Sequence, residues 1–330
     1  MESIISQLKK SKHILIASHE NPDGDAIGSL LATGLALQSI GKKTSLYNES
    51  KIPAVYRFLP KVNAIVRVID DFEHYDTAVI LDCGDLNRIG PVASRVTQVP
   101  VVINIDHHET NTRFGNLQLI DITACATAEI VYRLIKKMDI SLSKSIATAL
   151  YTGILTDTGS FRFSNTNQNA FSICKDLIEY GVEPYRIAQY VYGTYSLGRI
   201  KLLNLALDSI EISQNGQLSI MTLTQEMLNE TGTHTEDMDG LINYARRIED
   251  VKVAALIHEL DVNRSGADKV RRFHVSLRSD GSLNVAQIAA ALGGGGHSGA
   301  AGFSIESNLA DLKAQINVLA EKLMAPCSLN

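Results

Sequence analysis

Four apolar segments in the first half of the chain, three strand-like and one helical, each lead into acidic or histidine residues. Between the strand-like runs lie stretches with the longer apolar periodicity of helices, so strands and helices alternate along the chain. The predicted strands are His13–Ala17, Lys43–Tyr47, Thr77–Leu81 and Val101–Ile105, and the predicted helices are Ala26–Ser39, Ala126–Met138, Ser143–Leu155 and Ala170–Tyr180. This alternation predicts an α/β fold in which the N-terminal half forms a doubly wound parallel sheet.

The pattern changes after residue 190, and the length of 330 residues suits two domains. The later strand-like runs are Asp208–Ile212, Gln217–Leu223, Val251–Glu259 and Arg272–Leu277. Asn215-Gly216 between the first two is typical of a hairpin turn. We therefore predict an N-terminal domain over residues 1–190, a linker over 191–207, and a smaller C-terminal α/β domain with a mixed sheet over 208–330.

Composition narrows the classes of function. Hydrophobic residues make up 45 % of the chain, yet no apolar run approaches the ~20 residues of a membrane helix, and the N-terminus lacks a signal-peptide pattern. Cys83, Cys125, Cys174 and Cys327 are scattered, which favours buried thiols in a reducing cytoplasm over disulfides. The net charge of −5 argues against a long track along a nucleic-acid backbone. The sequence thus predicts a soluble cytoplasmic protein, with neither a membrane nor long duplex nucleic acid as its partner.

The acidic and histidine residues that follow the apolar segments are expected to meet in space. Side chains just past the carboxyl ends of parallel strands share one crevice, and many carboxylates in one crevice repel each other unless cations neutralise them. The candidate ligands are His19, Asp23, Asp25, Asp82, Asp106, His107, His108 and Asp157. Without thiolates, this set suits Mn, Mg, Fe or Co better than structural zinc, and it is large enough for two ions that share a ligand, as in phosphoryl-transfer sites.

Each of these clusters also has a simpler interpretation when it is taken alone. The segment Asn21–Asp25 is a common turn sequence, and Asp25 can cap the helix that follows. Asp82 and Asp157 can be ordinary loop carboxylates, but all the clusters occur in order, each after an apolar element, which favours a metal site. Five other histidines do not belong to such a cluster and are interpreted as surface or strand residues: His13, His74, His234, His258 and His274.

A glycine run near the C-terminus predicts a second functional element, a place where substrate binds. Its residues are Gly293, Gly294, Gly295, Gly296 and His297. Successive glycines expose backbone N–H groups that can hold an anion, and they let a base or sugar approach closely. Arg278, followed by Ser279 at the end of an apolar run, can supply a guanidinium for a phosphate, although a surface arginine would look the same.

The ordered set of His19, Asp23, Asp25, Asp82, the triplet Asp106-His107-His108, and Asp157 resembles the four motifs of the DHH phosphoesterase superfamily. The Gly293–His297 segment is similar to the hallmark of its DHH-associated C-terminal domain. Together these motifs span nearly the whole chain. The layout resembles the nanoRNase type, which implies hydrolysis of very short oligoribonucleotides and of 3′-phosphoadenosine 5′-phosphate.

The resemblance also implies roles for individual residues. One ion would be held by His19, Asp23 and Asp82, and the other by Asp25, Asp82, His107 and Asp157. Asp82 would bridge the two ions, Asp106 would orient a histidine, and His108 would face the phosphate or the leaving group. Manganese is favoured as the metal, with magnesium or cobalt as alternatives, and a homodimer is left open.

Other readings remain at this point. Family II inorganic pyrophosphatases resemble the N-terminal half but lack the glycine run, and RecJ-type exonucleases carry further nucleic-acid-binding domains. A stand-alone phosphodiesterase acting on cyclic or linear dinucleotides is the main alternative. From another class, a nucleotide-binding regulator could use the crevice without hydrolysis, although a sensor has no need of a complete set of metal ligands.

Overall fold

A computed structural model of the chain describes residues 1–193, 195–260 and 271–324. The chain divides into two compact units, Met1–Thr194 and Tyr195–Asn330. The division between the units falls within the predicted linker, residues 191–207. This segment contains the end of one helix and most of another, and the exact domain bounds stay a prediction. Among the described residues, no helix is long and apolar enough to cross a membrane.

The N-terminal unit is built on a six-stranded sheet whose described neighbours all pair in parallel. Its strands are β1 (His13–Ser18), β2 (Lys43–Tyr47), β3 (Ile65–Val66), β4 (Thr77–Leu81), β5 (Val101–Asp106) and β6 (Leu117–Ile120). Their spatial order is β3-β2-β1-β4-β5-β6. The chain therefore leaves β1 in one direction and resumes at β4 in the other, which creates a switch point between these two strands, where folds of this kind form a ligand crevice.

Helices cover both faces of this sheet, which explains why its central strands are mostly apolar. The helices of this unit are α1 (Glu2–Lys10), α2 (Gly24–Ser39), α3 (Ala93–Val96), α4 (Thr127–Lys137), α5 (Lys144–Asp157), α6 (Gln168–Glu179) and α7 (Pro184–Tyr192), with 3-10 turns at Ala54–Tyr56, Val62–Ala64 and Leu86–Ile89. Alternate residues of β1 face opposite cores: Ile14 and Ile16 join one cluster, and Leu15 and Ala17 join the other.

The C-terminal unit contains a second six-stranded sheet, ordered β11-β12-β10-β9-β8-β7 in the part of the chain that the structure describes. Its strands are β7 (Glu211–Ile212), β8 (Leu218–Leu223), β9 (Val253–Glu259), β10 (Arg271–Ser279), β11 (Gly295–Gly296) and β12 (Ala300–Ser307). Strands β8 and β9 are parallel and the other pairs are antiparallel, so the sheet is mixed, as predicted. The helices are α8 (Leu197–Asp208), α9 (Gln225–Thr231), α10 (Ile242–Arg246), α11 (Ala286–Ala291) and α12 (Leu309–Met324), with a 3-10 turn at Thr235–Met238.

The α/β class and the four N-terminal strands are confirmed, but three features of the sequence prediction need correction. The first arm of the Asn215-Gly216 hairpin starts at Glu211 instead of Asp208, because α8 runs to Asp208. The short edge strands β3 and β6 were missed, since they lack a long apolar run. The strand β12 was also missed, because it begins in the small residues that follow the glycine run.

The prediction of buried thiols is confirmed for the three cysteines that the structure describes. Cys83, Cys125 and Cys174 are free and buried, and burial raises the pKa of the Cys83 and Cys174 thiols to about 12. Cys327 lies outside the described residues. These thiols are small packing groups in the N-terminal unit.

Candidate metal centre

The switch point of the N-terminal sheet brings His19 and Asp82 together. His19 follows β1 and Asp82 follows β4, two paired strands whose ends coincide at Ser18 and Leu81. The His19 Nε2 atom lies 3.5 Å from Oδ2 of Asp82, and both residues are buried. Asp82 has a left-handed backbone, with φ of +55°, which is uncommon for a residue with a side chain and recurs at functional sites.

Strand β5 adds two histidines to the same place. The His107 Nε2 atom lies 3.7 Å from Oδ1 of Asp82 and 3.6 Å from Oδ2 of Asp157. The His108 Nδ1 atom lies 3.8 Å from Oδ1 of Asp82 but only 2.7 Å from Oδ1 of Asp106. His107 is thus surrounded by carboxylates at distances too long for hydrogen bonds, whereas His108 is hydrogen-bonded to Asp106.

The turn before α2 supplies two carboxylates that bind backbone groups as well. Asp23 is the N-cap of α2, and its Oδ1 accepts from the N–H groups of Asp25 and Ala26, both at 3.0 Å. The fully buried carboxylate of Asp25 instead accepts from the N–H groups of Thr127 and Ala128, at 2.6 and 2.9 Å, where α4 begins. The simpler interpretation of Asp25 as a cap of the helix after it does not apply: Asp23 caps that helix, and Asp25 binds the start of a helix about one hundred residues later.

Close packing of α5 against α2 places Asp157 at the centre. A β-carbon on Gly28 would lie 2.4 Å from the carbonyl oxygen of Ala149, so the two helices approach as closely as glycine allows. Asp157, the last residue of α5, extends its Oδ2 towards His107 and accepts a hydrogen bond from the Asn165 Nδ2 atom at 3.1 Å. The helix crossing thus fixes the position of a carboxylate that is distant in sequence.

These side chains form three overlapping groups, in each of which the candidate ligand atoms lie within 4.8 Å of one another. The groups are His19, Asp23 and Asp82; Asp25, His107 and Asp157; and Asp82, His107 and His108. An ion bound at about 2.1 Å from each ligand requires ligands roughly 3 to 4.2 Å apart, and the distances of 3.5 to 3.8 Å between histidines and carboxylates fit this requirement.

The outer hydrogen bonds also fit metal ligation. A histidine ligand usually directs its second ring nitrogen to a carbonyl or carboxylate, which fixes its orientation. The His19 Nδ1 atom lies 2.8 Å from the carbonyl oxygen of Glu20, and the His107 Nδ1 atom lies 3.4 Å from that of Ala124. In both residues the Nε2 atom is the one that faces the carboxylates.

The pKa values show an excess of negative charge in this crevice. Burial, together with the charges of Asp82 and Asp157, raises the pKa of Asp25 well above its ordinary value. Burial and the charge of Asp82 raise the pKa of Asp157 to about 7, even though His107 opposes the shift. Two carboxylates that resist ionisation beside a third that is ionised create a place where a cation is favourable.

The pKa of His108 is raised in the metal-free crevice. Burial lowers its pKa, but the hydrogen bond to Asp106 and the charges of nearby carboxylates outweigh this effect and raise it to about 9. Asp106 is fully buried, and its Oδ2 accepts from the Asn111 Nδ2 atom at 2.6 Å. His108 is thus suited to donate a proton rather than to bind a metal.

The substrate-binding candidates all lie in the C-terminal unit. Gly295 and Gly296 form β11, and a β-carbon on Gly294 or Gly296 would meet the backbone of β12 at 2.2 or 2.5 Å. His297 closes the hairpin, because its N–H donates to the carbonyl oxygen of Ala300 at 2.7 Å. Two of the glycines are therefore needed for strand pairing, while Gly293 and Gly295 leave open space.

Arg278 and Ser279 end β10 in different environments. The half-buried Arg278 donates from Nη1 to the carbonyl oxygen of Leu277, and burial lowers the pKa of its guanidinium. The hydroxyl of the buried Ser279 accepts a hydrogen bond from the N–H of Gly281 at 2.9 Å. The backbone N–H of Ser279 donates to the carbonyl oxygen of Gly299. Ser279 thus shapes the turn after β10.

Several residues that organise the centre were not found from the sequence. Thr127 donates from Oγ1 to Oδ1 of Asp82 at 3.0 Å, Asn111 holds Asp106, and Asn165 holds Asp157. They lie in segments without a motif, so only the folded chain brings them to the centre. A weak signal was present in the amide residues that closely follow the triplet 106–108 and Asp157.

Comparison with known proteins gives the class of this fold and centre. The chain matches the DHH family, N-terminal domain, over residues 13–154 and the DHHA1 domain over residues 216–324. It is 36% identical over 299 residues to the bifunctional oligoribonuclease and PAP phosphatase NrnA of Thermus thermophilus, covering 89% of this chain and 84% of that one. The protein of the same name from Bacillus subtilis is 28% identical, covering 89% and 90%.

A solved structure agrees over the whole length. The crystal structure of an exopolyphosphatase-related protein from Bacteroides fragilis superposes with a TM-score of 0.88 at 27% identity, covering 98% of this chain and 97% of that one. The resemblance predicted from the motifs is thereby confirmed. The chain belongs to the DHH family, and it is a metal-dependent phosphoesterase.

Proposed function

We propose that the chain hydrolyses very short oligoribonucleotides to nucleoside monophosphates, and 3′-phosphoadenosine 5′-phosphate to AMP and phosphate. The observation that carries this proposal is a complete set of candidate ligands at the switch point, in a chain that is 36% identical to an oligoribonuclease and PAP phosphatase. The N-terminal unit performs the chemistry, and Arg278 with the glycine run and His297 binds substrate.

In this proposal the centre holds two divalent ions, with manganese as the preferred metal. His19, Asp23 and Asp82 would hold one ion, and Asp25, Asp82, His107 and Asp157 would hold the other, so Asp82 belongs to both sets. When bound, two such ions supply an activated water and neutralise the attacked phosphoryl group. The carboxylates of Asp25 and Asp157, whose pKa values are raised, lose their protons as the ions bind.

His108 and Asp106 handle the proton of the leaving group. Asp106 holds His108 as an imidazolium through Nδ1, with the ring oriented by a contact of 2.7 Å. The Nε2 proton of His108 passes to the leaving oxygen as the phosphorus–oxygen bond breaks. Asn111 keeps Asp106 in place and ionised, since its amide donates to the second carboxylate oxygen.

Charge and size support a short substrate. A protein that grips long RNA neutralises many phosphates, and its affinity falls with salt by a log–log slope of about −0.7 per contacted phosphate. With a net charge of −5, this chain offers few groups for such contacts. Rates should therefore be highest on dinucleotides, fall as the RNA lengthens, and depend only weakly on salt.

One panel tests the proposed function. Initial rates are measured with Mn²⁺ on a dinucleotide, longer RNA, 3′-phosphoadenosine 5′-phosphate, a cyclic dinucleotide and pyrophosphate, at two salt concentrations. Asp82→Asn, purified in the same way, controls for contaminating nucleases. Fastest turnover of the dinucleotide and 3′-phosphoadenosine 5′-phosphate supports the proposal. A preference for cyclic dinucleotides, pyrophosphate or long RNA, or a steep salt slope, overturns it.

A further inference from the structure

The loop over residues 158–165, directly after Asp157, has an unusual backbone. Gly159, Ser160 and Phe161 are consecutive left-handed residues, with φ of +56°, +62° and +62°. Side chains disfavour this conformation, so two such residues in a row persist only where the surrounding structure determines them, and they cluster at binding and catalytic sites.

Hydrogen bonds hold this loop in one shape. The N–H of Ser160 donates to the carbonyl oxygen of Leu155 at 2.7 Å, and the N–H groups of Arg162 and Phe163 both donate to that of Thr158, at 2.9 and 3.0 Å. The Thr158 hydroxyl accepts from the N–H of Phe161 at 3.1 Å. The loop is a fixed extension of α5.

The far side of the loop returns to the metal centre through Asn165. Its Nδ2 atom lies 3.1 Å from Oδ2 of Asp157 and 2.8 Å from the carbonyl oxygen of Cys125. Phe163 thus lies between two anchors, the carbonyl of Thr158 and the side chain of Asn165, both next to Asp157. Its Cα is at most about 7.6 Å from that of Asn165.

The two phenylalanines of the loop have different environments. Phe161 packs on the main core, and its ring stacks on that of Phe171 with centroids 5.1 Å apart. Phe163 remains 49% exposed, with the far edge of its ring against Gly159, where a β-carbon would come within 2.4 Å of Cζ. The loop therefore fixes an exposed aromatic ring two residues before Asn165, whose side chain holds the candidate metal ligand Asp157.

We propose that Phe163 stacks on a nucleobase of the substrate and thereby favours nucleotides over simple phosphate esters. This inference rests on the proposed function and adds a base-binding residue within the N-terminal unit. Every base has an aromatic face, so stacking favours nucleotides without selecting a sequence. Such tolerance suits an enzyme for mixed short RNA.

Binding is tested by fluorescence, independently of turnover. The Mg²⁺-loaded protein is titrated with the 5′-monophosphate of 2-aminopurine riboside, whose emission is quenched when its base stacks. Wild type and Phe163→Tyr should quench the emission, whereas Phe163→Ala and Phe163→Leu should lose the quench and bind roughly 5- to 100-fold more weakly. Tyr185→Ala is the matched control, because Tyr185 is an aromatic residue that is 77% exposed on α7. An unchanged quench in Phe163→Ala overturns the proposal.

Turnover separates this proposal from the function on which it rests. The ratio of kcat/KM for a dinucleotide to that for the same compound without its bases should fall roughly 5- to 100-fold in Phe163→Ala and Phe163→Leu, but not in Phe163→Tyr or Tyr185→Ala. If the wild type hydrolyses dinucleotides and Phe163→Ala has the same ratio as the wild type, the stacking role of Phe163 is overturned but the proposed function is not. A wild type that neither binds nor hydrolyses nucleotides overturns both.

Discussion

Gly153 on α5 lies so close to the carboxylate of Asp25 that a β-carbon at this position would come within 2.8 Å of Oδ1. The same β-carbon would lie 2.7 Å from that of Ala128, at the start of α4. Three helices thus meet at a point where only glycine fits, and the buried ligand candidate Asp25 is part of that contact. Packing and the metal centre therefore depend on the same residue.

Gly153→Ala should destabilise the protein, although helix propensity alone predicts a gain of about 1 kcal/mol. Overpacking costs about 1 to 3 kcal/mol, and displacing Asp25 should weaken Mn²⁺ binding by roughly 10- to 100-fold, as changes around metal ligands do. Urea denaturation and metal titration measure the two effects. Thr148→Ala on the same helix is the control, and a Gly153→Ala protein that is more stable than wild type would contradict this packing.

Stability of the metal-free protein should fall as the pH rises from about 5.5 to 9. The pKa of Asp157 is about 7 against an ordinary 3.8, so stability is lost as the pH rises from about 3.8 to about 7 and this loss is complete above 7. The pKa of His108 is about 9 against 6.5, so the stability it contributes is complete below 6.5 and is lost as the pH rises through 9. Thermal melts in the presence of a chelator test this trend.

Added Mn²⁺ should reverse the trend, since it binds the ionised carboxylates. The increase in Tm on adding Mn²⁺ should be larger at about pH 8 than at about pH 5.5, where protons compete for Asp157. Asp157→Asn, which has no proton to lose there, should show a weaker pH dependence without metal. A metal-free wild type whose Tm rises between these pH values would show that the crevice carries no excess negative charge.

Much of the N-terminal fold could be predicted because its signals are local. The strand through Ile80 is apolar on both faces and is followed directly by Asp82, and buried parallel strands place their carboxyl ends together. The position of the candidate ligands directly after apolar segments was therefore enough to predict that they share one crevice. The bonds of Asp25 to Thr127 and Ala128 could not be predicted, because they depend on how α2 and α4 pack across about one hundred residues of chain.

In the C-terminal unit, the structure of the glycine run could not be predicted from its sequence pattern. The sequence predicts that the glycine run holds an anion, and it does not reveal that Gly294 and Gly296 are required by the close approach of β12. A run of glycines has the same sequence pattern in a flexible loop and in a tight hairpin. Here the partner strand β12, which makes it a hairpin, begins only a few residues later. The left-handed residues Ser160 and Phe161 carry no sequence signal at all, because neither type favours that backbone.

His297→Ala should lower the hydrolysis of nucleotides more than that of a simple phosphate ester. If the C-terminal unit binds substrate, kcat/KM on 3′-phosphoadenosine 5′-phosphate should fall further than that on bis-p-nitrophenyl phosphate, which needs little recognition. Ser298→Ala is the control, because Ser298 is an exposed neighbour in the same hairpin turn. Equal losses on both substrates would count against a recognition role for His297.

Asp82 is the residue on which the proposed two-ion centre depends most, because it lies in two of the three ligand groups and contacts both His19 and His107. Asp82→Asn keeps the size of the side chain but removes its charge. The variant should stay folded, with an unchanged circular dichroism spectrum. Asp71→Asn, at an exposed carboxylate of the same unit, is the control.

The most direct test is the Mn²⁺-dependent rate of dinucleotide hydrolysis by Asp82→Asn relative to wild type. Loss of a ligand shared by two ions should lower the rate by more than the ~10 to 100-fold typical of residues that only orient ligands. We expect Asp82→Asn to be folded and nearly inactive and Asp71→Asn to be fully active. A folded Asp82→Asn enzyme with a rate within about tenfold of wild type would contradict the two-ion centre.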